Sequence, residues 1–152
     1  MPDPTIAAAR EILEESLDRM REAITGLSPD ALGWRPPGED TNPITVLVVH
    51  GMHSTRWWLT VARGLPFPER DRPSEFVAEA AGEAELLAFL DPMASECLAR
   101  LDPDEPFDPG VMRELPEEEP VSAAWALMHA LEHISEHVAQ AELTRGLWRA
   151  EA

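Results

Sequence analysis

The sequence predicts an all-α fold, a four-helix bundle with long loops between the helices. Three observations support it. Apolar residues recur at helical spacing in four segments, prolines and glycines concentrate between those segments, and no stretch alternates apolar and polar residues as a half-buried strand does. Because 152 residues suit one domain, we expect a single domain over residues 1–152. Each apolar helical face needs a partner, which a bundle supplies.

Capping residues and helix breakers set the expected bounds of these helices. Asp3 can cap the first helix and Gly26 ends it. Gly64 ends the second, and Pro92 inside the third predicts a kink or a later start. We expect the helices, in order, over about residues 4–25, 43–63, 82–101 and 121–147. We expect loops over 27–42, with a short helical turn, and over the proline-rich, acidic 102–120, while the structure of 65–81 stays open.

The charge and cysteine content exclude several classes of function. With 12 basic and 29 acidic residues, the net charge is −17, which repels nucleic acid and anionic membranes. The longest apolar run, Ile44–Val49, is too short to cross a bilayer. The first residues do not form a secretory signal, so we expect a cytoplasmic protein. Cys97 is the only cysteine, which excludes an internal disulfide and a cysteine-based structural zinc site.

The fourth helix carries three histidines in register. His129, His133 and His137 are spaced by four, so they share one stripe at the edge of the buried face. Two imidazoles one turn apart can bind one ion, with Zn–N distances of about 2.0–2.1 Å. Unliganded buried histidines would instead each need a hydrogen-bond partner. We therefore predict that His133 and His137 bind a divalent metal ion.

A third ligand is expected from the second helix, which contains His50 and His53. His50 shares a face with Gly51 and Ser54, whose small side chains leave room beside it, whereas His53 lies closer to the Val49–Trp57 side. His50 is therefore favoured over His53. Three protein ligands would leave an open position for water or substrate, as in catalytic zinc sites. Ligand type alone also allows nickel, iron or manganese.

The two histidine segments resemble a known family. VLVVHGMHSTRWW and HALEHISEHVAQAELTRGLW are similar to motifs of the DinB-like family of four-helix metal proteins, and the helical layout resembles that family over nearly the whole chain. Related groups are the mycothiol-dependent maleylpyruvate isomerases and the bacillithiol transferases. The resemblance implies that His50, His133 and His137 bind zinc or nickel. Some relatives have Glu at the position of His133, so this chain resembles the all-histidine version.

The resemblance also implies a reaction class. A metal-activated thiol would attack an electrophile, or an isomerisation would use a low-molecular-weight thiol such as mycothiol or bacillithiol. The partners would then be a small-molecule thiol and an electrophile, with no nucleic acid and no membrane.

Two other functions stay open from the sequence. His133 to His137 also matches the inverted zinc-protease motif, with Glu136 as general base. That motif normally takes a third ligand from a carboxylate well downstream, and only Glu142 and Glu151 follow. The second alternative is a nonenzymatic, metal-stabilised binding or stress-response module, in which the same ligands hold the bundle together without turnover.

Several other side chains have both a functional and a structural interpretation. Cys97 could be reactive, although a buried thiol that acts as a small hydrophobe is favoured. Trp57 and Trp58 could line a substrate pocket or a homodimer interface, although Trp58 in the core and Trp57 half exposed is favoured. Arg56 and Arg145 could hold a substrate carboxylate, although local salt bridges are favoured.

Overall fold

Four long helices dominate the computed structural model, which describes residues 1–151. Those four helices contain 17 to 29 residues each, and the mostly helical structure confirms the predicted fold class. In chain order, the elements are α1 (Pro4–Ile24), α2 (Pro29–Gly33), α3 (Ile44–Arg63), α4 (Arg72–Glu75), α5 (Glu83–Ala99), β1 (Met112–Leu115), β2 (Glu118–Ser122) and α6 (Ala123–Glu151).

The start of α1 and the end of α3 follow from their capping residues. The Asp3 carboxylate accepts hydrogen bonds from the backbone amides of Thr5 and Ile6, at 2.8 and 3.1 Å. These are amides that the first helical turn leaves unpaired. Gly64 ends α3 with a φ of 65°, a left-handed conformation that glycine adopts without steric cost. Both capping predictions are confirmed.

α5 passes through Pro92 instead of starting there. The helix begins at Glu83 and continues to Ala99, so the expectation of a late start at the proline is wrong. Pro92 lacks the amide that would bond to the carbonyl oxygen of Ala88. The next residue, Met93, is buried in the core. Its packing compensates for the backbone hydrogen bond that Pro92 cannot make.

A small hairpin occupies part of the segment that the sequence predicts as a loop. β1 and β2 pair antiparallel, with Arg113 opposite Val121 and Leu115 opposite Glu118. Glu117 lies in the connecting turn with a φ of 61°. The expectation of a loop throughout 102–120 is therefore wrong for this stretch. The pairing depends on backbone hydrogen bonds between largely exposed strands, which leave no apolar alternation in the sequence.

The core lies between the four long helices. Its fully buried side chains include Ile6, Leu13, Leu17, Met20, Ile44, Met52, Leu59, Leu86, Leu90, Leu127, Ile134 and Val138. Within the described residues, no helix combines the length and apolarity that a membrane span requires.

Candidate metal centre

Three histidines from two helices meet between α3 and α6. His50 lies on α3, and His133 and His137 lie one turn apart on α6. One potential ligand atom of each lies within 4.8 Å of those of the other two, and the ring centroids are 4.4–5.2 Å apart. The structure thus brings together the three residues that the sequence predicts as ligands. His53 lies outside this cluster, which we call the histidine triad.

The spacing of side chains along the two helices explains why they meet. His50 and Trp58 share a face of α3, and His137 and His129 share a face of α6, because multiples of four residues return to nearly the same side of a helix. The His50 ring lies 5.1 Å from the His137 ring, and the Trp58 ring lies 4.7 Å from the His129 ring. The two helices therefore run antiparallel with these faces opposed.

Gly51 allows α3 and α6 to approach closely beside the triad. A Cβ atom placed on Gly51 would lie 3.4 Å from the Cβ atom of His137 and 3.4 Å from Cδ1 of Ile134. That is already van der Waals contact, so any atom beyond the Cβ would have to displace α6. The small residue predicted to leave room beside His50 thus allows the close approach of the two helices that carry the triad.

Replacing Gly51 with leucine is expected to lower the free energy of unfolding by about 1–3 kcal/mol, because the added atoms overpack this contact. Affinity for Zn²⁺ should fall as well, since His137 moves away from His50. Gly146 is the matched control, because it is also a helical glycine, on α6, and a Cβ there would meet nothing within 4 Å. Urea unfolding should show Gly146→Leu to be neutral or slightly stabilising, and equal effects of the two variants would contradict the packing argument.

The nitrogen atoms of the triad have too few hydrogen-bond partners among the described residues. Nδ1 of His133 and Nε2 of His137 are buried without any. The other nitrogen of His137, Nδ1, lies 2.9 Å from Oε1 of Gln140, and Nδ1 of His50 lies 2.7 Å from Oε2 of Glu75. A buried nitrogen without a partner costs about 1–3 kcal/mol, and a coordinated cation would remove that cost. The donor set therefore fits a divalent metal ion that accepts imidazole ligands.

Burial keeps His50 and His133 in the neutral form that coordination requires. Burial, with smaller contributions from the nearby imidazoles of His137 and His50, lowers the pKa of His133 to about 3. Burial also lowers the pKa of His50, against the opposing effect of its hydrogen bond to Glu75. At neutral pH both side chains therefore offer a lone pair without first having to lose a proton.

Glu75 is a component of the site that the sequence did not indicate. It closes α4, is only 2% exposed, and accepts two hydrogen bonds from the Arg70 guanidinium, at 2.7 and 3.0 Å. Burial would raise the pKa of the Glu75 carboxyl, but the hydrogen bonds from Arg70 and His50 outweigh it and hold that pKa below its ordinary value. A buried carboxylate therefore lies against Nδ1 of His50.

A cleft of about 620 Å³ leads to the triad. His50 and His133 line its inner part, and Trp57, Trp58 and Phe67 contribute apolar walls. Trp57 stacks on Phe67 with ring centroids 4.6 Å apart. Trp58, expected in the core, packs against the core but is only half-buried, because it shares the face of His50 and that face borders the cleft. The interpretation of the tryptophans as pocket-lining residues is the one that the structure supports.

Three other candidate residues have different surroundings. His53 packs against Phe89, with ring centroids 5.6 Å apart. His129 lines the cleft one turn from His133. Glu136 is exposed and accepts a long hydrogen bond, 3.4 Å, from Gln140. An exposed Glu136 is poorly placed as the general base of a peptidase, which must reach a metal-bound water.

The remaining candidates follow their structural interpretations. Cys97 is fully buried, and burial raises the pKa of its thiol to about 12, so it lacks the thiolate that reactivity needs. Arg56 lies 3.5 Å from Glu96, a local salt bridge as expected. Arg145 donates instead to the backbone oxygens of Ala23 and Thr25 at the end of α1, so it holds a helix terminus.

Comparison with known proteins identifies the family. A family model described as the DinB superfamily matches residues 12–141. The chain belongs to the DinB superfamily. The match includes all three histidines of the triad and confirms the resemblance seen in the two histidine segments. No curated protein matches the chain.

The DinB fold is also recognisable in a solved structure. A crystal structure described as a conserved protein from Enterococcus faecalis superposes with a TM-score of 0.74, at 15% sequence identity, covering 95% of this chain and 96% of that one. At that identity the likeness concerns the fold alone. For this DinB superfamily member, the triad supplies a potential three-histidine metal site.

Proposed function

We propose that this protein is a divalent-metal-dependent enzyme of thiol chemistry, an S-transferase or an isomerase. His50, His133 and His137 would hold the ion, with zinc or nickel as the metal. The observation that carries the proposal is a largely buried cluster of three imidazoles, two of them with an unpartnered buried nitrogen, beside an open cleft that His50 and His133 line. Three ligands beside a cleft leave a coordination position that a small molecule can reach.

Bound metal would lower the pKa of a thiol or water in the open position, so that the nucleophile exists at neutral pH. Neighbouring side chains would bind and orient the reactants. Trp57, Trp58 and Phe67 would bind the apolar part of an electrophile and exclude water from the reacting atoms. The hydrogen bond between Gln140 and His137 would orient that ring.

The reaction would join a low-molecular-weight thiol, such as mycothiol or bacillithiol, to an electrophilic carbon. In a transfer to an aryl chloride, the sulfur–carbon bond forms, the carbon–chlorine bond breaks, chloride leaves with the electron pair, and the thiol proton passes to solvent. In an isomerisation, the same sulfur adds to a carbon–carbon double bond and leaves after rotation about it, so the thiol is regenerated.

We expect protein purified without a histidine tag to take up about one equivalent of Zn²⁺ or Ni²⁺, as a three-ligand site would. With that metal bound, it should conjugate a chloro-dinitrobenzene with one of mycothiol, bacillithiol or glutathione. Conjugation should stop with a chelator and return when the metal is restored. Bound metal below about a tenth of an equivalent, with no uptake from added Zn²⁺ or Ni²⁺, would overturn the metal-centre proposal.

A nonenzymatic metal-stabilised module is the second candidate. It is favoured by the fact that the triad joins α3 to α6, segments far apart in sequence, so that a bound ion would tie the bundle together. In that case Zn²⁺ at 1,000 times its Kd would stabilise the fold by about 4 kcal/mol, with no turnover of any thiol. Stabilisation with turnover supports the enzyme, and stabilisation without turnover supports the module.

A further inference from the structure

Glu75 is unusual among the acidic side chains of this protein. The chain has 29 Asp and Glu residues, and within residues 1–151 Glu75 is the one whose side chain is buried. Burying a carboxylate is costly unless it is paired and hydrogen-bonded. The partners of the Glu75 carboxylate must therefore offset this cost.

Both oxygens of the Glu75 carboxylate are engaged. Oε1 accepts from Nε of Arg70 at 2.7 Å, and Oε2 accepts from Nη2 of Arg70 at 3.0 Å and faces Nδ1 of His50 at 2.7 Å. The Arg70 side chain is itself only 14% exposed. The guanidinium holds the carboxylate in a fixed, bidentate orientation, and both oxygens are engaged by Arg70 and His50.

The hydrogen bond to Glu75 determines which nitrogen of His50 carries the proton. An ionised carboxylate only accepts hydrogen bonds, so Nδ1 of the neutral imidazole must be the donor. The lone pair is then on Nε2. Without Glu75 the ring could carry its proton on either nitrogen and could rotate, and each alternative state would reduce the fraction of molecules ready to bind a cation.

We infer that Glu75, clamped by Arg70, is a positioning residue that fixes the tautomer and ring orientation of His50 and so raises the affinity of the triad for a metal ion. The inference rests on the metal centre proposed above. Arg70 and Glu75, both in the connection between α3 and α5, would then belong to a site otherwise built by α3 and α6. Loss of a carboxylate partner of a histidine ligand typically lowers metal affinity by about 10–100-fold.

The variant that tests this inference is Glu75→Gln, which removes the charge and the bidentate pairing with Arg70. We expect it to bind Zn²⁺ about 10–100-fold more weakly than the wild type. Bound Co²⁺ should show a changed visible absorption spectrum, because that spectrum reports ligand geometry, which a general loss of stability would leave alone. The matched control is Glu96→Gln, since Glu96 also pairs with an arginine, Arg100 at 2.7 Å, but lies on α5 away from the triad. It should leave affinity and spectrum unchanged.

A second variant, Arg70→Met combined with Glu75→Leu, removes both charges and so avoids an unpaired buried charge if Glu75→Gln does not fold. It should also bind Zn²⁺ more weakly than the wild type. Wild-type affinity in either folded variant would overturn the inference.

The tautomer can also be read in the wild type without metal, from the nitrogen chemical shifts of His50. A proton on Nδ1 is expected, and a proton on Nε2 would overturn the inference. Failure of the wild type to take up metal would instead overturn the proposed function, so the two failures are distinguishable.

Discussion

Replacing His133 with alanine is expected to lower the affinity for Zn²⁺ by more than about 100-fold, which exceeds the typical cost of losing an outer partner of a ligand. His133 contributes one of three imidazoles, and its loss would leave two ligands on different helices. Calorimetric titration of metal-free protein would measure the change. His50→Ala should behave in the same way, since its ring is equidistant, within 0.1 Å, from the two rings on α6, at 5.2 and 5.1 Å.

His53→Ala is the matched control for these variants, because it removes a half-buried histidine from the same helix as His50 but outside the triad. It should leave the affinity for Zn²⁺ within about twofold of the wild type, since a side chain that does not touch the ligands contributes little to binding. Loss of metal binding in His53→Ala but not in His50→Ala would show that the third ligand is misassigned.

The stability of metal-free His133→Ala separates a metal-binding role from a structural one. Since the wild type buries Nδ1 of His133 without a hydrogen-bond partner among the described residues, removing that atom recovers a desolvation cost of about 1–3 kcal/mol. This gain should offset most of the packing lost with the ring. A structural histidine would instead destabilise the metal-free protein strongly when truncated.

Acidification is expected to destabilise the metal-free protein between pH 6.5 and pH 5. In the unfolded chain a histidine gains its proton below about pH 6.5, whereas burial lowers the pKa of His133 in the folded state to about 3. The unfolded state therefore binds more protons throughout this window. Stability from His133 is complete above pH 6.5 and is lost as the pH falls toward 3, at up to about 1.4 kcal/mol per pH unit.

Urea unfolding at several pH values, with a chelator present, would measure this effect. His50 has a lowered pKa for the same reason, burial, and adds to the slope. In His133→Ala the slope of the unfolding free energy against pH should fall by up to about 1.4 kcal/mol per pH unit, the contribution of one proton. Because the net charge of −17 changes in the same way for both proteins, the difference between them isolates His133. An equal slope in the two proteins would contradict the assigned burial.

The His133–His137 pair was predictable because its geometry is local. His133 and His137 are one helical turn apart, which brings them together in any fold that keeps the helix. His50 could be chosen over His53 because Gly51 and Ser54 leave space on its face, and the structure places Gly51 directly against His137. Helical periodicity and side-chain size, both readable in a sequence, were sufficient here.

The parts that escaped prediction depend on contacts between distant segments. Glu75 lies in a connection with no periodic pattern, and its burial depends on how that connection folds back onto His50, 25 residues earlier. The hairpin forms through backbone bonds that leave little trace in side-chain pattern. Trp58 is on the expected face of α3, but whether that face is core or cleft wall depends on what α6 places opposite it.

The position of the aromatic cleft has a consequence for the order of events at the site. His50 and His133 line the cleft, whereas His137 does not. A molecule that fills the cleft would therefore lie between the triad and bulk water. If the ion reaches the triad through this cleft, it would enter before the small molecules and leave after them, so an occupied cleft would retain its metal. Binding at this centre would then be ordered, with the cation first and the small molecules after it.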